Sequence, residues 1–183
     1  YGTIWGAVPE TSGSIFWVSP ADAYTVDGRA YGASDDADGL SPEKALRTIA
    51  RAIALATADA GDVIMLLPGT HTSASQVVLN KAGLTFVAAD PGARISPDVR
   101  PYAASTKVNW TSTLAGTAVA NTAADTTFIG INFIPVTART FMSCIATPRN
   151  RWIDCAVTLS AAASTSTKGI VFSGAAGAFC SFT

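Results

Sequence analysis

The stretch from Ser34 to Thr72, SDDADGLSPEKALRTIARAIALATADAGDVIMLLPGTHT, constrains the chain more than any other. Its middle predicts an amphipathic helix over about 41–60. Ser41 suits the N-cap, Pro42 the first helical position and Glu43 the positive end of the dipole. Leu46, Ile49 and Ile53 share one face that Ala50, Ala56 and Ala60 widen, while Lys44, Arg47 and Arg51 take the wetter side. Gly61 is the expected stop. Asp62 then leads into Val63-Ile-Met-Leu-Leu67, a continuous apolar run of strand length ended by Pro68-Gly69. Such a run fits a strand buried on both faces, between the interior on one side and the helix or a neighbouring subunit on the other.

The remainder is Ala-, Thr- and Ser-rich strand material. Residues 1–33 read as an irregular lead-in containing one strand, Ser14 to Val18. Its aromatics Trp5, Phe16, Trp17, Tyr24 and Tyr31 are expected to pack on the body, residues 34–183, or on a partner subunit. After Thr72, strands are expected at Gln76 to Leu79, Leu84 to Ala88 and Ala93 to Ser96, with Asp90-Pro-Gly92 a turn. Pro97 to Leu114 reads as an insertion or long loop around Tyr102 and Trp110.

From Gly116 onward the chain echoes itself. GTAVANTAADTTFIGINF, MSCIATPRNRWIDCAV and KGIVFSGAAGAFCSFT can be superposed. Val119, Ile145 and Val171 then fall at equal intervals, each followed by an aromatic strand around Phe128, Trp152 and Phe179; Leu84-Thr-Phe86 supplies an earlier copy. Two short strands per repeat, with small-residue corners, fit one coil of a parallel β-helix. Stacking closes a core that one coil cannot close and pairs every strand edge. An antiparallel β-sandwich also uses short, regularly spaced strands. The helix ahead of the first coil favours the solenoid, which needs an end cap with a polar outer face.

The run DADGLSPEKALRTIARAIALA, then GDVIMLLPGTHT and AGLTFVAADPG, resembles the opening of right-handed parallel β-helix proteins of the pectate-lyase-like superfamily. Asp38-Gly39-Leu40-Ser41, Thr48-Ile49, Ala52-Ile53, Gly61-Asp62 and Pro68-Gly-Thr-His71-Thr72 occupy the matching places; His71 stands where an aromatic is common. The resemblance covers Ser34 to Gly92. It implies an all-β, right-handed single-stranded parallel β-helix with an N-terminal capping helix. The superfamily includes polysaccharide lyases, hydrolases, epimerases, adhesins and bacteriophage tailspikes and fibres. Short Ala/Thr/Ser-rich members with few charges most resemble virion components, commonly homotrimers.

Charge separates the function classes. Charged residues make up 14% of the chain, with a formal net charge of −1, so neither a basic nucleic-acid footprint nor an acidic tail is present. No window approaches the roughly 18 apolar residues that span a bilayer. Hydrolysis wants paired carboxylates, and a lyase wants a basic residue beside calcium-binding acids. After Asp62 the acids are Asp90, Asp98, Asp125 and Asp154, without a glutamate. Asp125 and Asp154 are expected on different faces, one before its strand and the other within it. Arg149, Arg151 and Asp154 form the best lyase-like grouping, weighed against a solvated corner.

Asp35-Asp36-Ala37-Asp38-Gly39 has the composition of a calcium loop without its full spacing; a turn ahead of the helix explains it more simply. His71 reads as a strand-end histidine rather than a base. Asn109-Trp110-Thr111 matches a glycosylation sequon, relevant in a eukaryotic secretory pathway. Gly174-Ala-Ala-Gly177 reads as a coil corner. Cys144, Cys155 and Cys180 lack metal-ligand spacing and read as small core residues, one disulfide being the alternative.

The expected function is a structural virion component, a fibre, spike or decoration protein acting by rigid display and attachment. No catalytic, cofactor or metal residue is assigned, and no cofactor is implied. The expected partners are its own copies in a homotrimer, other virion proteins and a host-surface glycan, without nucleic acid or membrane insertion. The alternatives are a polysaccharide-binding or -cleaving depolymerase domain and a bacterial surface adhesin, secreted or at the cell surface. The chain begins at Tyr1 rather than Met and reads as strand to Phe182, so the native polypeptide is expected to continue or to be covered by another chain.

Overall fold

Three parallel sheets wrap a single interior. The computed structural model describes residues 11–26, 29–89, 108–135, 140–145, 149–158, 168–173 and 180–182. Each coil lays one strand on each sheet in turn. The first coil is β4 (Val63–Leu66), β5 (Gly69–Ser73) and β6 (Val77–Leu79), followed by β7 (Thr85–Ala88), β8 (Val108–Ser112) and β9 (Thr117–Asn121). The next two are β10 (Thr127–Ile129), β11 (Asn132–Pro135) and β12 (Thr140–Ile145), then β13 (Asn150–Ile153), β14 (Ala156–Val157) and β15 (Lys168–Ser173). Ahead of them β1 (Ile15–Val18) joins the first sheet, and β16 (Cys180–Phe182) follows. The long sheet therefore runs β1-β4-β7-β10-β13-β16; the second runs β14-β11-β8-β5 and the third β15-β12-β9-β6.

Every ladder in these sheets is parallel, which a parallel β-helix requires and an antiparallel sandwich forbids. The coil has three faces rather than two. Trp110, expected in an insertion, lies in β8, so the loop ends earlier than Leu114. The antiparallel pair is β2 (Ala23–Val26) with β3 (Arg29–Gly32), a hairpin outside the stack. Within the lead-in, the expected strand is β1, and it is a strand of the long sheet.

Alternation along each strand fills the interior. Register aligns Phe16, Ile64, Phe86, Phe128 and Trp152 in one column. The Phe86 and Phe128 rings stack at 5.1 Å and those of Phe128 and Trp152 at 5.7 Å. The expected match of Trp152 to Phe179 is shifted: Trp152 pairs with Phe182. The third sheet departs further from the equal intervals. Val119 pairs with Met142 and Met142 with Ile170, whereas Ile145 is exposed and Val171 pairs with Ser143. Corners of unequal length absorb the difference, so a constant repeat slips out of register.

The cap is also built differently from its helical pattern. A 3-10 turn spans Pro42–Lys44, Ala45 is extended, and α1 covers Ile49–Leu55 alone. Thr48, not Ser41, is the cap: its Oγ1 accepts from the Arg51 N–H at 3.1 Å. Leu46 leaves the helix because the edge of β1 takes it. Leu46 N–H donates to Trp17 C=O at 2.8 Å, and Ser19 N–H donates to Leu46 C=O at 2.9 Å. The helix ends at Leu55, and Gly61, with φ +78°, shapes the turn into β4 instead. Lys81 closes the helix end, donating from Nζ to the Ala54 C=O at 2.7 Å and to that of Ala56.

Strand β4 is buried on both faces, as expected, but not under the helix. Ile64 and Leu66 face the interior together with Ile49, Ala52 and Ile53 of α1. Val63, Met65 and Leu67 form a second layer outside the long sheet with Trp17, Ala45 and part of Tyr24. Tyr24 Oη accepts the Ala45 N–H at 3.0 Å, which fastens the hairpin over that layer. The aromatics Phe16, Trp17 and Tyr24 therefore pack on the body itself. Trp5, Asp90 to Ser96, Tyr102, Gly174 to Gly177 and Phe179 lie outside the described residues.

Candidate functional site

Corners decide what the charged side chains can do. Because Val63, Thr85, Thr127 and Arg151 are in register, the residues Gly61, Gly83, Asp125 and Arg149 stack at one corner ahead of the long sheet. All four have positive φ, at 78°, 75°, 57° and 60°. Two glycines are needed: a Cβ on Gly61 would meet Ser12 Oγ at 2.9 Å, and one on Gly83 would meet Asp59 Cα at 3.1 Å. Farther along, the corner is open and carries side chains. Arg149 Nε donates to Asp125 Oδ1 at 2.6 Å, and Nη2 donates to Oδ2, a two-pronged pair. The guanidinium holds the Asp125 carboxyl below its ordinary range, and Asp125 in turn raises Arg149.

The grouping of Arg149, Arg151 and Asp154 is therefore divided. Arg149 is at one end of β13 with Asp125 as partner, and Arg151 is exposed on the outward face of the strand. Asp154 is at the opposite corner, after β13 rather than within it, stacked by register on Gly130. Asp125 and Asp154 thus sit at opposite ends of the long sheet's strands.

His71 takes an inward position on β5, in register with Trp110 and through it with Phe133. It is 4% exposed, and its Nε2 meets the Leu67 carbonyl at 2.9 Å. Burial pushes the imidazole down to about 4, against the opposing pull of that carbonyl, and the like charge of Arg47 adds to the depression. The ring is neutral at physiological pH and donates to Leu67. It also lines a cleft of about 360 Å³ between β5 and Arg47 to Ala50, which Thr72 and Ser75 line as well.

The acidic loop is a fastening. Asp35 Oδ1 accepts the N–H groups of Arg47 at 3.0 Å and Thr48 at 2.9 Å, and Asp38 pairs with Lys44 at 3.2 Å. Asp62, which the sequence marks merely as a turn residue, is 4% exposed and joins three segments. Its oxygens accept Ser14 N–H and Thr57 N–H, each at 2.7 Å. Cys144 lies in the interior cluster. Cys155 donates to the Phe128 carbonyl at 3.4 Å, and burial raises its thiol to about 11, an unreactive state. Among the described residues no group of three or more His, Cys, Asp or Glu could hold a metal ion, and no helix is long and apolar enough to cross a membrane.

The outward face of the second sheet carries a polar row that spacing alone did not mark. Thr70, Asn109 and Asn132 are in register, and Asn132 Nδ2 donates to Asn109 Oδ1 at 3.0 Å. Ala156 takes the next place in register, and Thr158 Oγ1, two residues on, donates to Asn132 Oδ1 at 2.9 Å. The sequon is absorbed into it: Asn109 is bonded side to side, and Thr111 Oγ1 donates to the Ile134 carbonyl at 3.0 Å. A row of asparagines on successive coils is the signal that could have found it, given the register.

Comparison with known proteins returns little. No family model matches, and no curated protein matches. The crystal structure of pectate lyase Pel9A is similar over 79% of this chain and 48% of that one, with 14% identity and a TM-score of 0.39. This chain thus spans about half the length of that protein. The register of the parallel ladders carries the fold assignment by itself.

Proposed function

We propose that the chain is a non-catalytic β-helical rod, a structural component of a virion such as a phage-like fibre, spike or decoration protein, that displays its lateral faces for attachment. The observation that supports it is the engagement of its chemically useful groups. Arg149 is held by Asp125, Asp35 and Asp62 bind backbone N–H groups of the cap, and His71 is buried and neutral. The Arg149–Asp125, Asp35 and Asp62 contacts tie one coil or cap segment to another, and His71 is bonded within its own coil to the Leu67 carbonyl. In this reading the rod assembles as a homotrimer with other virion proteins, and its surface meets a host glycan.

The test is incubation with capsular, lipopolysaccharide and pectic glycans, with and without calcium. Unchanged glycan chain lengths are expected; new reducing or unsaturated ends would overturn the reading. Light scattering should return three times the chain mass under virion-like conditions, and a stable monomer would remove the trimer. A second reading, a polysaccharide-binding domain, draws on the hydroxyl and amide row of the second sheet. Saturable glycan binding that Asn132→Ala weakens, without cleavage, would favour it.

A further inference from the structure

The three sheets are finished unequally at the N-terminal end of the stack. Beside β1, Trp17 N–H donates to the Gly39 carbonyl at 2.7 Å, and Leu46 bonds on both sides as described, so the long sheet's edge is covered. Strand β6, the edge of the third sheet, packs against α1. Strand β5 ends the second sheet with no strand paired on its far side among the described residues, and Pro20 lies against its first residue, Gly69.

Register shows which backbone groups this leaves open. Ser73 pairs with Ser112, and its carbonyl accepts the Thr113 N–H, so Ser73 faces β8. Alternate residues of a strand present their backbone groups to opposite edges, so Gly69 and His71 also face β8, while Thr70 and Thr72 face away. The N–H and C=O groups of these two threonines have no backbone partner among the described residues. Thr72 borders the cleft, whose other wall, Arg47 to Ala50, belongs to the cap below β5. Among the lining residues Arg47 carries the charge. Its Nε is held by Asp22, and its other guanidinium N–H groups have no described partner.

We propose that the open edge of β5 is a docking site for an extended segment of a partner protein that carries an acidic residue. The segment adds a strand to the second sheet by bonding Thr70 and Thr72, and its carboxylate meets Arg47. Alternating donors and acceptors at strand spacing complement a peptide backbone, which selects a polypeptide over a glycan. A single cation beside them selects the acidic side chain. Edge strands in natural proteins are normally blunted by lysine, proline or a covering element. Strand β5 itself, Gly-Thr-His-Thr-Ser, contains no lysine or proline, and its two sister edges are covered.

The experiment uses the intact chain and a fluorescein-labelled, end-capped probe peptide, Thr-Val-Glu-Val-Thr, read by anisotropy. Saturable binding is expected, together with slowed hydrogen exchange at the Thr70 and Thr72 amides. Two N-methylated probes separate backbone pairing from stickiness without touching the protein. Methylation on one set of alternate residues should weaken binding by about tenfold, and on the other set leave it unchanged. Thr72→Pro removes an outward N–H at an edge position that tolerates proline, and should also weaken binding about tenfold at unchanged melting temperature. Arg47→Gln should weaken the Glu probe about fivefold and leave a Gln probe unaffected. Absence of saturable binding, or equal loss with both methylated probes, would overturn the proposal. So would concentration-dependent self-association that Thr72→Pro abolishes, because the occupant would then be a second copy of this chain.

Discussion

Two columns run along the stack with one residue per coil, and the contrast between them explains what repetition does in this fold. Inside the long sheet, Ile64, Phe86, Phe128 and Trp152 are buried at 2% exposure or less. Outside the second sheet, Thr70, Asn109 and Asn132 are equally well aligned, but Thr70 is exposed and the two asparagines are half-buried. The inner column removes apolar surface from water, each large side chain contributing roughly 1.5–3 kcal/mol. The outer column exchanges hydrogen bonds with water for hydrogen bonds with neighbours, a net gain of about 1 kcal/mol or less per bond. One periodicity thus produces cohesion on one side and a uniform, weakly committed surface on the other.

The largest expected effect tests the inner column. Phe128 stacks on Phe86 below and Trp152 above and meets Phe133 edge-on at 5.7 Å. Backbone ladders hold its neighbours apart, so the space left by truncation cannot collapse. Phe128→Ala should cost about 3–5 kcal/mol in urea unfolding. A loss below about 1 kcal/mol would mean that the column is not a continuous core.

The second test concerns the polar member of the interior. His71 occupies an inner place on the second sheet, and its ring is held neutral by burial. The unfolded histidine takes up a proton near 6.5, whereas the folded one does so at about 4. As pH falls through this window the unfolded state binds more protons, so stability present above pH 6.5 is progressively lost, by up to about 3 kcal/mol. Asp38 and Asp125, held below the ordinary carboxylate range, lose their contributions at still lower pH. His71→Gln should therefore flatten the stability profile between pH 4 and 6.5. An unchanged slope in that variant would show that the window belongs to other groups.

The same contrast marks what the sequence could disclose. The interior announced itself: Val63 to Leu67 reads as a strand buried on both faces, and Phe86, Phe128 and Trp152 fall into their true column. Large apolar residues bounded by turn residues carry that signal locally. The third sheet did not, because the register Val119–Met142–Ile170 depends on corner lengths that no single coil encodes. The helix began late for a similar reason. Leu46 fits the helical face, but it is drawn to the edge of β1, far back in the chain. The candidate site was least legible. Asp62 finds Ser14 and Thr57, Arg149 finds Asp125, and Thr70 and Thr72 are left open, all as consequences of which strand stacks on which.

A smaller effect is expected on the outer column. Asn132→Ala removes the amide that bonds Asn109 and accepts from Thr158, leaving both partners able to reach water. The loss should be about 0.5–1.5 kcal/mol. A loss comparable with that of Phe128→Ala would erase the distinction between the columns.

The smallest effect comes from the stacked corner, where backbone and side chain make separable contributions. The Arg149–Asp125 pair faces solvent, its side chains 67% and 37% exposed, so its removal alone should leave the melting temperature nearly unchanged. The backbone is the larger influence, since Arg149 stands at φ +60° in the column that begins with Gly61 and Gly83. Arg149→Ala loses the ion pair and keeps the left-handed strain, whereas Arg149→Gly loses the pair and relieves it. The glycine variant should thus melt about 2–4 °C above the alanine variant in calorimetry. If both melt together below the parent, the ion pair rather than the turn secures this corner, and the outer surface contributes more to cohesion than the amide row implies.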